Sequence, residues 1–110
     1  MDSTPLKPHW FQVLLALSHG PRHGFSIRDA VEERTAGGVV LWPATLYGVL
    51  RDLAESGWIR ELEPDQAPDR DGRRKYYELT TAGRTRLLDE ARRLEGWAAA
   101  ARAGLRPEER

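Results

Sequence analysis

Hydrophobic residues between positions 42 and 58 recur at helical intervals, and polar residues fill the positions between them. The apolar set is Leu46, Val49, Leu50 and Leu53, and the opposite set is Thr45, Tyr47, Gly48, Arg51 and Asp52. Such spacing gathers the apolar side chains into one stripe. Pro43 suits the first turn of a helix, and Gly57 suits the residue just past its end. The pattern predicts a helix over 43–56 that is anchored by one face and presents the other to a groove.

Two further helices are predicted upstream. Apolar residues wrap most of the way round positions 7–19, so this helix is expected in the core or at a subunit interface. A second helix is predicted from about Gly24 to Thr35, and a glycine-bearing segment follows it. Its inward residues are predicted to be Phe25, Ile27, Ala30 and Val31. Helix, short connector and amphipathic helix is the order of a helix-turn-helix.

After Gly57 the hydrophobic period changes to that of a strand. The set Trp58, Arg60 and Leu62 alternates with the set Ile59, Glu61 and Glu63. A second run follows at 74–80, beyond a polar loop at 64–72. Two short strands joined by a polar loop predict a hairpin. On a helix-turn-helix such a hairpin is called a wing.

The last predicted helix starts after a cap at Thr80 or Thr81 and continues to about Gly104. One face carries Leu87, Ala91, Leu94, Ala98, Ala101 and Leu105. Alternating spacings of four and three are typical of a helix that packs against another helix. Because no later element covers this seam, we expect it to meet a second chain.

These elements predict a mainly α (α+β) fold, a winged helix-turn-helix with a two-stranded wing and a long C-terminal dimerisation helix. The DNA-binding unit is predicted over residues 1–80 and includes the helix at 7–19. The dimerisation helix follows at 81–105, and 106–110 is a tail.

Composition narrows the function classes. The chain has 110 residues and no cysteine, so it has room for one domain and none of the chemistry of thiols or disulfides. We expect no membrane span or leader segment and a cytoplasmic location. No phosphate-cradling glycine loop, nucleophile elbow or metal-binding array stands out, so we expect neither an enzyme, a cofactor nor a metal site. His19 and His23 have a metal-like interval, but Gly20-Pro21 breaks the helix between them.

The charge distribution requires any DNA contact to be local. Lys and Arg number 17 and balance 17 Asp and Glu, so the net charge is zero. The best basic cluster consists of Arg70, Arg73, Arg74 and Lys75. Aspartates in the same loop dilute it, so we expect moderate, salt-sensitive affinity for DNA.

Four motifs together resemble the PadR family of bacterial transcriptional regulators. They are His23-Gly24-Phe25-Ser26-Ile27, Pro43-Ala44-Thr45-Leu46-Tyr47, Leu50-Arg51-Asp52-Leu53 with Gly57-Trp58-Ile59, and Arg74-Lys75-Tyr76-Tyr77-Glu78-Leu79-Thr80 with Gly83. The resemblance covers residues 10–95. It departs at Ala44, where the family commonly has glycine, and at Phe25, where tyrosine is frequent.

The resemblance implies a homodimeric repressor of the short subfamily that binds an inverted-repeat operator on double-stranded DNA. It also implies that a small planar aromatic ligand at the dimer centre can release the DNA. Trp10 and Trp97 are the candidate ligand residues, since stacked indoles can sandwich a planar molecule. The alternative is that both fill the interface and leave no cavity.

Candidate DNA contacts come from the third helix and the wing. They are Thr45, Tyr47, Arg51, Arg73, Arg74 and Lys75. Tyr47 either donates to a phosphate or packs on the second helix, and Arg51 either reaches DNA or lies on a solvated face. Of Tyr76 and Tyr77, one is expected in the core and the other at the border of the DNA face. A protein-interaction module and a ligand sensor are the competing function classes.

Overall fold

Four helices and a small antiparallel sheet make up the computed structural model, which describes residues 4–69 and 73–107. The helices are α1 (Pro8–Leu17), α2 (Gly24–Arg34), α3 (Pro43–Glu55) and α4 (Thr81–Gly104). The strands are β1 (Arg22–His23), β2 (Ile59–Glu61) and β3 (Tyr76–Leu79). The mainly helical winged fold is confirmed, and every predicted helix is present.

The ends of α3 follow from its sequence. Pro43 occupies its first turn, where a missing N–H costs no hydrogen bond. Gly57 lies just past its end with φ +80°, a conformation that glycine adopts without strain. The Trp58 N–H then donates to the Leu53 carbonyl over 3.0 Å, which turns the chain directly into β2.

The sheet has the strand order β1-β3-β2, with β3 in the centre. Arg22 pairs with Tyr77 on one side of β3, and Ile59 pairs with Leu79 on the other. The third strand was not predicted, because β1 has only two residues and shows no period. Strand β1 joins the start of α2 to the wing. The sequence prediction of a sheet made of two strands is therefore corrected to three.

The strict alternation predicted around β2 is wrong. Ile59 and Leu62 are both buried, although Leu62 lies just past the end of β2 at Glu61, where its N–H donates to the Tyr76 carbonyl over 2.8 Å. Leu62 then packs with Ala67 and Tyr76 in a small cluster of the wing itself. The wing loop contains a short 3-10 turn at Pro64–Gln66. Arg70 and the rest of 70–72 lie outside the described residues.

The core forms where α1, α2, α3 and the sheet meet. Its fully buried side chains include Leu14 and Leu17 of α1, Ile27 of α2 and Leu53 of α3. This confirms that α1 is a core helix. Phe25, predicted to face inward, is instead 62% exposed, since the α2 stripe that is fully buried consists of Ile27 and Val31.

Helix α4 has two different halves. The Thr80 hydroxyl accepts from the Gly83 N–H over 3.0 Å and caps the helix as predicted. Its first half packs on α1 and β3, where Arg86 and Glu90 are buried and the Arg86 guanidinium lies 5.3 Å from the Trp58 ring. From Leu94 onward every described residue of α4 is exposed. The second half of the helix therefore projects beyond the protomer's own core.

Candidate nucleic-acid interface

The two faces predicted for α3 are present. Leu46, Leu50 and Leu53 are buried, whereas Thr45 and Arg51 are exposed on the other side. Tyr47 is half-exposed and also reaches the first turn of α2, as the packing interpretation predicts, and its contact with DNA stays a prediction. The Arg51 guanidinium lies 3.9 Å from the Asp52 carboxylate, a distance at which an exposed ion pair restrains it weakly.

The wing places a run of cations immediately before β3. Arg73, Arg74 and Lys75 are all exposed. They approach the start of α2, where Nη1 of Arg74 lies 3.4 Å from Nε2 of His23. Three positive charges thus lie on the side of the wing that faces α2.

His23 organises this corner as an N-cap. Its Nδ1 accepts a hydrogen bond of 3.2 Å from the Ser26 N–H, and its ring meets Tyr76 edge-on at 5.3 Å. With Nδ1 accepting, the proton of the neutral imidazole is on Nε2. Nε2 and the Arg74 guanidinium are then both donors, so their contact does not anchor the arginine. The side chain of Arg74 is available to an anion.

A groove of about 390 Å³ joins α3 to the wing. Its lining residues are His23, Gly24, Phe25, Tyr47, Arg73, Arg74, Lys75 and Tyr77. The groove therefore unites Tyr47 with the three wing cations, although these residues are far apart in sequence. Thr45 and Arg51 are exposed on the same helix but do not line the groove. This concave, cationic and aromatic surface matches the chemistry of a nucleic-acid backbone.

Two exposed aromatic residues of this region were not predicted to be part of the site. Phe25 lines the groove, and Trp42, at the N-cap of α3, is 63% exposed. The Arg28 guanidinium lies 5.7 Å from the Trp42 ring and holds the indole against α2. The sequence did contain an indication at Trp42. N-cap positions usually carry a residue with a side-chain oxygen, and tryptophan has none.

Tyr76 and Tyr77 do not divide between core and surface as predicted, because both are buried. Tyr77 belongs to the main core and also lines the groove, whereas Tyr76 packs in the wing cluster. Burial raises the pKa of the Tyr77 phenol above its usual 10.0, with further contributions from Glu61 and Tyr47. Both effects disfavour the phenolate.

We expect Tyr77 to make the folded protein sensitive to alkali. Its pKa is higher in the folded than in the unfolded chain, so its stabilisation is complete below the unfolded value of 10.0 and is lost as the pH rises through the folded value. Ultraviolet titration should show the Tyr77 phenol ionising later in the native protein than in urea. Tyr77→Phe should remove this late step; if the late step persists in that variant, the assignment to Tyr77 is wrong.

The candidate ligand residues lie in different settings. Trp10 packs edge-on against Trp58 with ring centres 5.9 Å apart, and Nζ of Lys7 lies 4.8 Å from its centroid. Trp97 is 57% exposed in the projecting half of α4. An apolar groove of about 330 Å³ does lie between α1 and α4. It is lined by Phe11, Leu15, Ser18, Leu79, Arg84, Leu87, Leu88 and Ala91.

Metal binding and membrane insertion would each require a further structural feature. Across the ranges 4–69 and 73–107, no three His, Asp or Glu side chains are grouped so that they could hold a metal ion. None of the helices in those ranges combines the length and apolar character needed to cross a membrane.

The four helices and the three-stranded sheet define the class of the winged-helix fold. Comparison with known proteins gives the family: residues 13–89 match the Transcriptional regulator PadR-like family. Because the match covers more than half of the chain, the protein belongs to the PadR-like family. The family is one of transcriptional regulators, not of enzymes.

Solved structures share the fold. A transcriptional regulator from Clostridium thermocellum superposes with a TM-score of 0.71 at 21% identity, over 88% of this chain and 89% of that one. Bacillus subtilis PadR, solved in complex with operator DNA, gives a TM-score of 0.64 at 24% identity. That match covers 77% of this chain and 47% of the Bacillus protein.

A curated relative is longer than this chain. An uncharacterized 37.1 kDa protein in transposon TN4556 of Streptomyces fradiae is 40% identical over 79 residues, or 72% of this chain. The matched part is 21% of that protein, so the chain spans about a fifth of its relative.

Proposed function

We propose that this chain is a bacterial, cytoplasmic repressor that binds an inverted-repeat operator as a homodimer. The observation that carries the proposal is the groove that joins Tyr47 of α3 to the cations at 73–75. In the proposed complex α3 enters the major groove, and the wing strand follows the phosphate backbone beside it. Thr45 and Arg51 then face base edges, and Tyr47, Arg73, Arg74 and Lys75 contact phosphates.

The second protomer is proposed to dock along α4. The predicted seam continues past the core: Leu94, Ala98, Ala101 and Leu105 are exposed in the protomer. Such an apolar stripe on a projecting helix is typical of an interaction surface. A twofold axis through paired α4 helices would place the two α3 helices in major grooves one DNA turn apart, or about 34 Å.

The apolar groove between α1 and α4 supports the proposed ligand response. It lies next to the dimerisation helix and has the size of a small aromatic molecule. We place a planar effector there or between Trp10 and Trp97, with release of DNA as its effect. The test is to add planar aromatic compounds to the protein–operator complex and to follow the release of DNA.

The function itself is tested by a gel shift of the purified protein with its own upstream DNA. Two salt concentrations and a scrambled competitor separate specific from non-specific retardation. Specific retardation that weakens with salt supports the repressor. A folded dimer that shifts no DNA at low salt would contradict it and favour the protein-interaction module, which the zero net charge also suggests.

Arg74→Gln should weaken the binding of all DNA sequences alike. Loss of one phosphate contact in each subunit is expected to lower affinity roughly 30-fold at low salt and to flatten the slope of log K against log salt by about 2. Fluorescence anisotropy with operator and scrambled duplexes over a salt series measures both quantities.

Thr45→Ala is the matched comparison for this prediction. Since Thr45 is proposed to face base edges, its replacement should change the preference among operator variants and leave the salt slope as it is. An unaltered salt slope in Arg74→Gln would show that the wing strand does not contact phosphate.

A further inference from the structure

The exposed face of α3 approaches the start of α2 at a glycine. A methyl group on Gly24 would lie 2.9 Å from Oη of Tyr47, 3.4 Å from Cζ and 3.5 Å from Cε1. Distances below 3.0 Å are shorter than a carbon and a hydroxyl oxygen tolerate. The end of the Tyr47 ring therefore occupies the space that any other residue at position 24 would fill.

Hydrogen bonding does not fix the position of this phenol. Tyr47 is 50% exposed, and within 4–69 and 73–107 its hydroxyl has no hydrogen-bond partner. Its ring lies in the groove between Gly24 and the cations at 73–75. Packing against α2 is thus one contact that places the hydroxyl.

The requirement for glycine does not come from the backbone. Gly24 is the first residue of α2, and the glycines with positive φ are Gly20, Gly37 and Gly57. Alanine is acceptable at a helical position. Moreover, the atom that a methyl would strike is the far end of a side chain, which can rotate away into solvent. Gly24→Ala should therefore move Tyr47 without unfolding the protein.

We propose that Gly24 is a positioning residue for the DNA contact of Tyr47. Its missing side chain lets the phenol rest on the first turn of α2, with the hydroxyl directed along the same groove as the wing cations. The inference rests on the proposed function, because it assumes that Tyr47 donates to a phosphate. It assigns to Gly24, a residue with no side chain, a part in operator affinity.

A double-mutant cycle on the full chain tests the proposal. Gly24→Ala and Tyr47→Phe should each weaken operator binding roughly tenfold, since a hydrogen bond to a charged group is displaced or removed. The variant with both changes should bind no more weakly than Tyr47→Phe, because the second change has no hydroxyl left to displace. Gly96→Ala, at an α4 glycine with open space around it, should bind like the wild type.

Three results would overturn the proposal. The first is a Gly24→Ala variant that keeps full affinity. The second is a Gly24→Ala effect of the same size in the Tyr47→Phe background, which would show that it does not act through the hydroxyl. The third is a melting temperature of Gly24→Ala well below that of the wild type, which would indicate a structural role.

Tyrosine-ring NMR separates this inference from the function on which it rests. Tyr47 resonances are identified by their loss in Tyr47→Phe, and Gly24→Ala should shift them more than those of Tyr76. This readout needs no DNA. If the wild type binds no operator, the proposed function fails while the placement of Tyr47 is still measured; unshifted resonances would overturn the positioning role by themselves.

Discussion

Gly83→Ala should destabilise the protein by at least about 3 kcal/mol, or roughly 10–20 °C in melting temperature. A methyl group at Gly83 would overlap the carbonyl oxygen of Trp58 and lie 2.8 Å from its carbonyl carbon. Unlike the Tyr47 hydroxyl, these are backbone atoms, which cannot rotate away. The first turn of α4 lies this close because the Thr80 N–H donates to the same Trp58 carbonyl over 3.1 Å.

The control for Gly83→Ala is Gly96→Ala on the same helix. Nothing lies within 4 Å of a methyl group at Gly96, so only the helix preference for alanine remains, a gain of about 0.5–1 kcal/mol. Urea unfolding followed by circular dichroism measures both changes. If the two variants lost equal stability, the close packing of α4 on the Trp58 backbone would not be the cause of the loss in Gly83→Ala.

The sequence predicted the elements whose residues repeat over several turns. The stripe on α3, the cap at Thr80 and the glycine after α3 each use a local rule, and the structure contains all three. Local rules do not predict an element that forms only by contact with a distant segment of the chain. Strand β1 exists because Arg22 and His23 pair with β3, and two residues alone carry no period.

The candidate DNA surface shows the same limit. Exposure of Thr45 and Arg51 follows from the helical period of α3, and exposure of the wing cations follows from their charge. The groove that joins Tyr47 to those cations depends on how α2 and β3 pack. The sequence pattern predicts Phe25 on the inward face of α2, whereas its place on the helix turns it into this groove.

Ala98→Glu should convert the protein to a monomer and lower operator affinity by about 100-fold or more. Ala98 is exposed in the protomer and lies in the seam by which α4 is proposed to meet its copy. A carboxylate there would be buried beside the partner helix, and its twofold mate would bring a second charge near it. Two half-sites bound by a linked dimer gain about 10²–10⁴ in avidity, and a monomer loses this gain.

Sedimentation and operator titration of the same samples measure the two effects together. Since Ala98 has no place in the protomer's core, the far-ultraviolet circular dichroism of each monomer should be retained. Ala103→Glu is the matched control, because it lies about 140° round the helix from Ala98 and away from the seam. An Ala98→Glu protein that remained a dimer and bound the operator fully would place the dimer interface elsewhere than on this face of α4.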